Sequence, residues 1–419
     1  MERTQNNNLQ GFGNIVIFCF FLFFTILLSW PLFFNLDSYL LPSYLETIHS
    51  RGYIDTQAVV DRVNNTVAGL LTGDFYPLFA YTERGEISKS YLVFSTLGIL
   101  VFGINEVVAH NLFFLFSLFL SGLFMFFFTK ELIKNKWAAL FSGFLYMSSS
   151  YLFSEYFLGH SNLWQLQWIP IIFLFLERIL SGKRSFKEYV CLGLFLGIQT
   201  ISASYYIIYL TFIIPIYIIF RNHGVLVNKK FWVGMFLVLI IVLVVSSPFL
   251  FFRLERINHS SNIRSLEQNL TPNRILISFS DLISSKRSFS LSVVSLILSV
   301  LSMAFLFNKR SHQDLRKYLP FIFFLFFIPL CMLGPFSKFA PYYWLYTFWP
   351  LMDFLRVPKR LFPFFLLSVS ILASYTFFRL INNKKILFIF GLFLFLIIII
   401  FLTYIVPSPA LMNYHLFTP

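Results

Sequence analysis

The sequence predicts an all-α polytopic membrane protein, and two observations carry that prediction. Of the 419 residues, 58% are hydrophobic and only 12% charged, with a mean hydropathy of +0.76. A soluble core would be implausibly apolar, so the bilayer must act as solvent. The apolar residues also fall in long runs separated by loops whose cations recur on alternate sides, the pattern of a chain crossing a membrane repeatedly. The net charge of +14 would suggest nucleic acid in a soluble chain. Here it reports topology first and contact with anionic lipid second, and no nucleic-acid partner is expected. Cys19, Cys191 and Cys331 sit in separate apolar runs and offer neither a disulfide framework nor zinc-ligand spacing.

Taken in order, the polar and weakly basic residues 1–10 precede an apolar run over 11–35. That run is too long for a signal-peptide core and lacks a small-residue cleavage site, so it is expected to remain as the first span. A polar interval, 36–105, follows as the first external loop. Within it, 91–104 is apolar but short and reads as a helix lying at the interface or dipping into it. Further spans are expected at 108–128, 137–157 and 163–180, then a pair within 189–220 broken near Ser202-Ala203-Ser204. The remainder fall at 231–252, 291–307, 318–335, 361–380 and 386–406. The expected total is about eleven, within a single membrane domain over 1–419.

The loops orient these spans. Lys130, Lys134 and Lys136; Lys183, Arg184 and Lys187; Arg221, Lys229 and Lys230; Lys309, Arg310, Arg316 and Lys317; and Arg379, Lys384 and Lys385 all fall on one side of the expected topology. The positive-inside rule makes that side cytoplasmic, with the amino terminus on it, as in a multi-pass protein of the cytoplasmic (inner) membrane. The loop 36–105 and the segments 253–289 and 337–360 then lie outside. All three mix charge with aromatic residues, so chemistry is expected on the outer face.

Three constellations there could carry it. Asp55 and Asp61 flank a stretch, 56–60, that reads as the first turns of a helix with Asp55 at its N-cap. Capping is one role for Asp55. The other is that of a general base taking a proton from an acceptor hydroxyl at the membrane surface, with Asp37 as its rival. The second constellation is Glu155, His160, Gln165, Gln167 and Trp168, on one external turn. Polar groups at that depth are costly unless they find partners or line a cavity. Either they bond to neighbouring helices with Trp164 and Trp168 in the interfacial belt, or they form a site. The third is Asp353-Phe-Leu-Arg356-Val-Pro-Lys359-Arg360, where cations stand against the positive-inside trend. Headgroup snorkelling is one account. A phosphate held by the Arg fork and the Lys point charge is the other, and is preferred.

These stretches carry a resemblance. The run from Asn111 to Lys130, the turn Gly159-His-Ser-Asn-Leu-Trp-Gln-Leu-Gln-Trp-Ile-Pro170 and Phe354-Leu-Arg-Val-Pro-Lys-Arg-Leu-Phe362 resemble bacterial multi-spanning proteins grouped with the GT-C superfamily of glycosyltransferases. The resemblance implies a sugar donor carried on polyprenyl phosphate and a catalytic carboxylate in the first external loop, a role it gives to Asp55 with Asp61 nearby. It further implies transfer to a glycan, lipid or protein acceptor with inversion at the anomeric carbon. His160 and Gln167 would contact substrate, and Arg356, Lys359 and Arg360 would hold the donor phosphate. Two features depart from the pattern. Ile54 rather than a glycine precedes Asp55, with Gly73-Asp74 as a competing position, and related chains often continue into an external domain beyond the last span, so a short or an incomplete form is expected. A divalent metal through Asp55 and Asp61 stays open, since hard cations prefer carboxylates but a monophosphate leaving group does not demand one. A transporter or flippase of a lipid-linked or small-molecule substrate is the alternative, although it should show internal repeats and mid-span ionisable groups, and this sequence has no convincing repeat and few such groups.

Overall fold

The computed structural model describes residues 2–37, 39–42, 46–74, 88–259, 293–307, 312–335, 337–349, 352, 355, 357–382 and 414–417. These are almost entirely helical. The helices are α1 (Glu2–Leu28), α2 (Trp30–Phe33), α3 (Glu46–Leu71), α4 (Lys89–Phe102), α5 (Glu106–Ile133), α6 (Lys136–Met147), α7 (Ser150–Phe157) and α8 (Trp168–Leu180). They continue as α9 (Phe186–Ser202), α10 (Ser204–Asn222), α11 (Lys229–His259), α12 (Val293–Leu306), α13 (His312–Met332), α14 (Pro341–Phe348) and α15 (Phe362–Asn382). One antiparallel pairing joins β1 (Tyr39–Pro42) to β2 (Tyr414–Phe417), with Tyr39 opposite Phe417.

Local chemistry sets several boundaries. Asn105 accepts a hydrogen bond from the Val108 amide at 2.8 Å and starts α5, and Asn135 does the same for α6 from the Ala138 amide at 3.0 Å. Each cap satisfies a donor that the first helical turn leaves open. Ala203, extended at φ −152° and ψ 88°, divides α9 from α10, the break expected at 202–204.

Among the described residues, five helical segments are long and apolar enough to cross a membrane: Glu106–Ile133, Ser204–Val227, Lys229–Phe249, Leu315–Met332 and Pro358–Leu380. The expectation of about eleven spans is therefore met only in part. The stretch 137–157 breaks at Ser148-Ser149 into α6 and α7, and the helix expected over 163–180 starts only at Trp168. With 13 residues, α8 is about 20 Å long, short of a hydrocarbon core of about 30 Å. Its side chains from Ile169 to Leu180 are buried except for Arg178. It is apolar because other helices surround it, and a hydropathy window does not separate that case from lipid contact. The stretch 91–104 forms a helix, α4, as expected; 386–406 lies outside the described residues.

Burial separates the centre of the bundle from its rim. The most apolar window of α15 is 94% buried, against 22% for α11, whose Trp232, Val233, Phe236 and Val244 are exposed as lipid-facing residues would be. Hydroxyls tie the centre together: Thr129 on α5 donates to Ser142 on α6 at 2.8 Å, and Ser142 donates to the Ser370 carbonyl of α15 at 3.3 Å. The rim helix α11 approaches α9 over small residues. A Cβ added at Gly197 would lie 2.7 Å from Val245 Cβ, and one at Gly193 would lie 2.9 Å from Ile241 Cβ. Close approach of this kind supplies helix association where lipid removes the hydrophobic drive. Gly197→Leu is accordingly expected to lower stability by about 1–3 kcal/mol, read as a lower midpoint of thermal unfolding in detergent.

Candidate functional site

Two of the three constellations meet at one end of the bundle. Glu155 stands on α7, one helical turn after Tyr151, and is 4% exposed. The turn after α7 reverses at Gly159, whose φ of +70° suits a residue without a Cβ. It returns His160 to the same carboxylate, with His160 Nδ1 2.5 Å from Glu155 Oε2. The His160 side chain remains 36% exposed, so the pair joins a buried carboxylate to a ring that reaches outward.

The cation comes from a distant part of the chain. Pro358–Leu361 forms a 3-10 turn leading into α15. The segment before it is held by tyrosines, with Tyr209 on α10 donating to the Val357 carbonyl at 3.2 Å and Tyr342 on α14 donating to the Leu355 carbonyl at 3.1 Å. The Arg360 guanidinium lies 3.9 Å from the centre of the Tyr205 ring, close enough for a cation–π contact that orients it. Arg360 interacts electrostatically with both Glu155 and Tyr151. Tyr151 and Tyr206 share a hydrogen bond of 2.9 Å, and Tyr206 donates to the Leu163 carbonyl at 2.6 Å. A carboxylate, an imidazole, a guanidinium and a layer of phenols thus converge where α7, α10 and the Pro358–Leu361 turn end.

The remaining residues of the second constellation have other tasks. Gln165 is a strap: its Nε2 donates to Ser88 Oγ at 2.5 Å and to the Ser161 carbonyl at 2.6 Å, while its Oε1 accepts from Ser90 Oγ at 2.7 Å. Ser202 donates to Ser90 Oγ at 2.8 Å and so ties the end of α9 to the start of α4. Gln167 is fully buried and accepts from Ser117 Oγ at 2.5 Å, while its Nε2 has no hydrogen-bond partner among the described residues. Trp164 is also fully buried, edge-on to Phe113 and Phe114. That placement differs from the interfacial ring that one of the two readings gave to 164. Hydropathy signals an aromatic residue near a span end but not the packing that encloses it.

The first constellation is placed differently from expectation. Asp55 lies inside α3, nine residues past its first residue Glu46, so the N-cap role is overturned: a capping carboxylate needs free amides ahead of it, and here the helix continues on both sides. The side chain of Asp55 lies outside the described residues, as does all of Arg356. Asp61 is exposed on the same helix. Positions six apart on a helix are about 120° apart around it and about 9 Å along it, an arrangement poorly suited to a shared metal ion. Among the described residues, no group of three or more His, Cys, Asp and Glu side chains could hold a metal ion. The helix is nonetheless anchored to the start of α5, through Asn64 Nδ2 donating to Glu106 Oε1 at 3.2 Å and through Val60 packing on Val107. Asp37 is exposed just beyond α2, and Lys359 is half-buried in the Pro358–Leu361 turn.

No family model matches this chain, and no curated protein matches it.

Two features of the site were missed in the sequence. Tyr151 reads as one more aromatic in an apolar run, although its spacing of four from Glu155 places both on one helix face. Buried His110, whose Nδ1 lies 3.2 Å from the Tyr91 hydroxyl, stacks on Tyr156 with ring centres 5.5 Å apart. Tyr156 in turn donates to Asn111 Oδ1 at 2.5 Å, and Asn111 donates to the Leu36 carbonyl at 2.8 Å. This chain fixes where the first loop leaves the bundle.

Proposed function

We propose that the protein is a membrane glycosyltransferase of GT-C type that moves a sugar from a polyprenyl-phosphate donor to an acceptor on the external face of the cytoplasmic membrane. The observation that carries the reading is the convergence of Arg360 with the pair of buried Glu155 and outward-reaching His160 at one end of the bundle. A guanidinium held over the Tyr205 ring presents a fork matched to phosphoryl oxygens, and Lys359 beside it adds a second cation. Both charges oppose the negative charge that grows on the phosphate as its bond to the anomeric carbon breaks.

The step balances as an inverting displacement. The acceptor oxygen bonds to the anomeric carbon from the face opposite the leaving group, and its proton passes to a carboxylate. The anomeric carbon–oxygen bond breaks, and polyprenyl phosphate departs with the electron pair. Asp55, on the helix that packs against α4 and the start of α5, is the proposed proton acceptor, with Asp61 nearby. His160 orients the donor phosphate from the rim of the site, and Glu155 fixes its ring. Arg356, in the same segment as Arg360, completes the phosphate-binding set. Gln167 supports the turn that carries His160. A divalent ion is not required for a monophosphate leaving group.

The test is a mass comparison of lipid-linked sugars and surface glycans in cells with the gene intact, deleted, or carrying Asp55→Asn, Glu155→Gln or Arg360→Met. Deletion is expected to remove one sugar from one glycan. Asp55→Asn and Arg360→Met should each lower transfer at least about 100-fold with normal membrane abundance. If Asp55→Asn retained transfer and Glu155→Gln lost it, the proton acceptor would be the Glu155–His160 pair. An unchanged glycan profile on deletion would refute transfer and leave transport as the reading.

A further inference from the structure

We propose a second anion site, for a phosphate group, at the opposite end of α8 from His160, where α5 and α8 both terminate. Glu131, in the last turn of α5, draws in three cations from three different turns of chain. Lys134 Nζ lies 2.6 Å and Lys183 Nζ 2.9 Å from the same oxygen, Oε1, while Arg178 Nε lies 3.5 Å from Oε2. Two ammonium groups on one carboxylate oxygen stand close enough to repel each other, and three cations against a single carboxylate leave the cluster strongly positive.

The unused donors point outward. The Lys134 and Lys183 side chains are 65% and 55% exposed, against 13% for Glu131. Each ammonium has three N–H groups, of which Glu131 takes one. Arg178 Nε, by contrast, is buried, and among the described residues it has no hydrogen-bond partner. Helix macrodipoles favour a cation at each C-terminus, which accounts for one charge on α5 and one on α8 but not for their convergence with a third. Lys134 moreover holds the left-handed conformation, φ 61°, at a position where glycine is usual, and among the described residues it is the one non-glycine residue to do so.

The surroundings suit a phosphate at a bilayer surface. Trp137 at the start of α6 and Phe186 at the start of α9 are 65% and 71% exposed, and both helices begin at this end. Exposed aromatic rings beside a basic cluster are the arrangement that seats an anionic lipid headgroup with its acyl chains against the rings. A soluble phosphate ester offers the same oxygens without the chains.

The test uses the full chain purified in detergent. Retained lipid is counted by native mass spectrometry after exposure to phosphatidylglycerol or phosphatidylcholine, and inorganic phosphate is titrated separately by thermal shift. Phosphatidylglycerol should be retained over phosphatidylcholine, and Lys134→Ala with Lys183→Ala should weaken that preference about fivefold per lysine. The paired Lys→Arg variant should keep it. Trp137→Ala should weaken lipid retention without altering the response to inorganic phosphate. Stabilisation by inorganic phosphate with no preference between the lipids would make a soluble ester the ligand. Neither lipid preference nor phosphate response, or an alanine variant indistinguishable from the native chain, would overturn the proposal. Should the double variant fail to fold, Lys183→Ala alone, more than half exposed, decides by the same comparison.

Discussion

Gly143→Val is expected to prevent accumulation of folded protein. A Cβ at Gly143, on α6, would lie 2.5 Å from the Gly122 carbonyl oxygen of α5 and 2.6 Å from the Phe21 ring of α1. The first neighbour is backbone and cannot rotate away. The second is a fully buried ring held edge-on to Phe126 and Phe20. Accommodating even one carbon requires the helices to part at the centre of the bundle, where Thr129 and Ser142 tie α5 and α6 together. Overpacking a dense core costs about 1–3 kcal/mol, and more where backbone must move. Two branched methyl groups in addition put this variant at or above the upper end. The measurement is monodisperse yield by size exclusion in detergent, with Gly224→Ala as control. The added carbon there would meet its nearest neighbour, Asn222 Oδ1, at an ordinary 3.5 Å.

Loss of Arg221 should be nearly as severe. Glu177 on α8 is 3% exposed, and Arg221 on α10 grips it with Nη2 at 2.6 Å from Oε1 and Nε at 3.0 Å from Oε2. The Tyr217 hydroxyl donates to Oε2 at 2.8 Å and Ser181 Oγ to Oε1 at 2.9 Å. The carboxylate is fully hydrogen-bonded, and its charge is balanced by the guanidinium. Arg221→Ala leaves that charge enclosed without a counter-ion, at an expected cost of about 3–5 kcal/mol. Arg221→Lys restores charge but not the fork and should recover part of the loss. Glu177→Gln combined with Arg221→Met should be less damaging than Arg221→Ala alone, because the cost lies in the unbalanced charge. Thermal unfolding of the three variants in one detergent checks the order. An Arg221→Ala midpoint equal to that of the native chain would rule out the buried pair as a stabilising feature.

Both predictions concern contacts that the sequence marks only faintly. Gly122 and Gly143 lie in unremarkable apolar runs. Glu177 is a single acid inside an apolar helix whose length hydropathy overstates. The class of the protein, by contrast, is legible directly, because the ratio of apolar to charged residues decides the solvent without reference to geometry. So is the break at Ala203, where small polar residues interrupt a run too long for one helix.

The candidate site divides along the same line. His160 and Arg360 stand out in the sequence because polar residues at the ends of apolar runs require a reason. Their shared neighbour Glu155 could not be assigned to both, since 205 positions separate Glu155 from Arg360 and only the packing of α7, α10 and the Pro358–Leu361 turn joins them. Of the two roles open to Asp55, capping fails because α3 begins nine residues before it, and a cap and a mid-helix carboxylate look alike until the start of the helix is known. The sequence by itself determined the apolar, helical, many-segment character of the chain, through composition. Which apolar helices face lipid, which glycines hold helices in contact and which charges meet were decided by tertiary packing, because each depends on residues far apart in the chain that composition and periodicity do not relate.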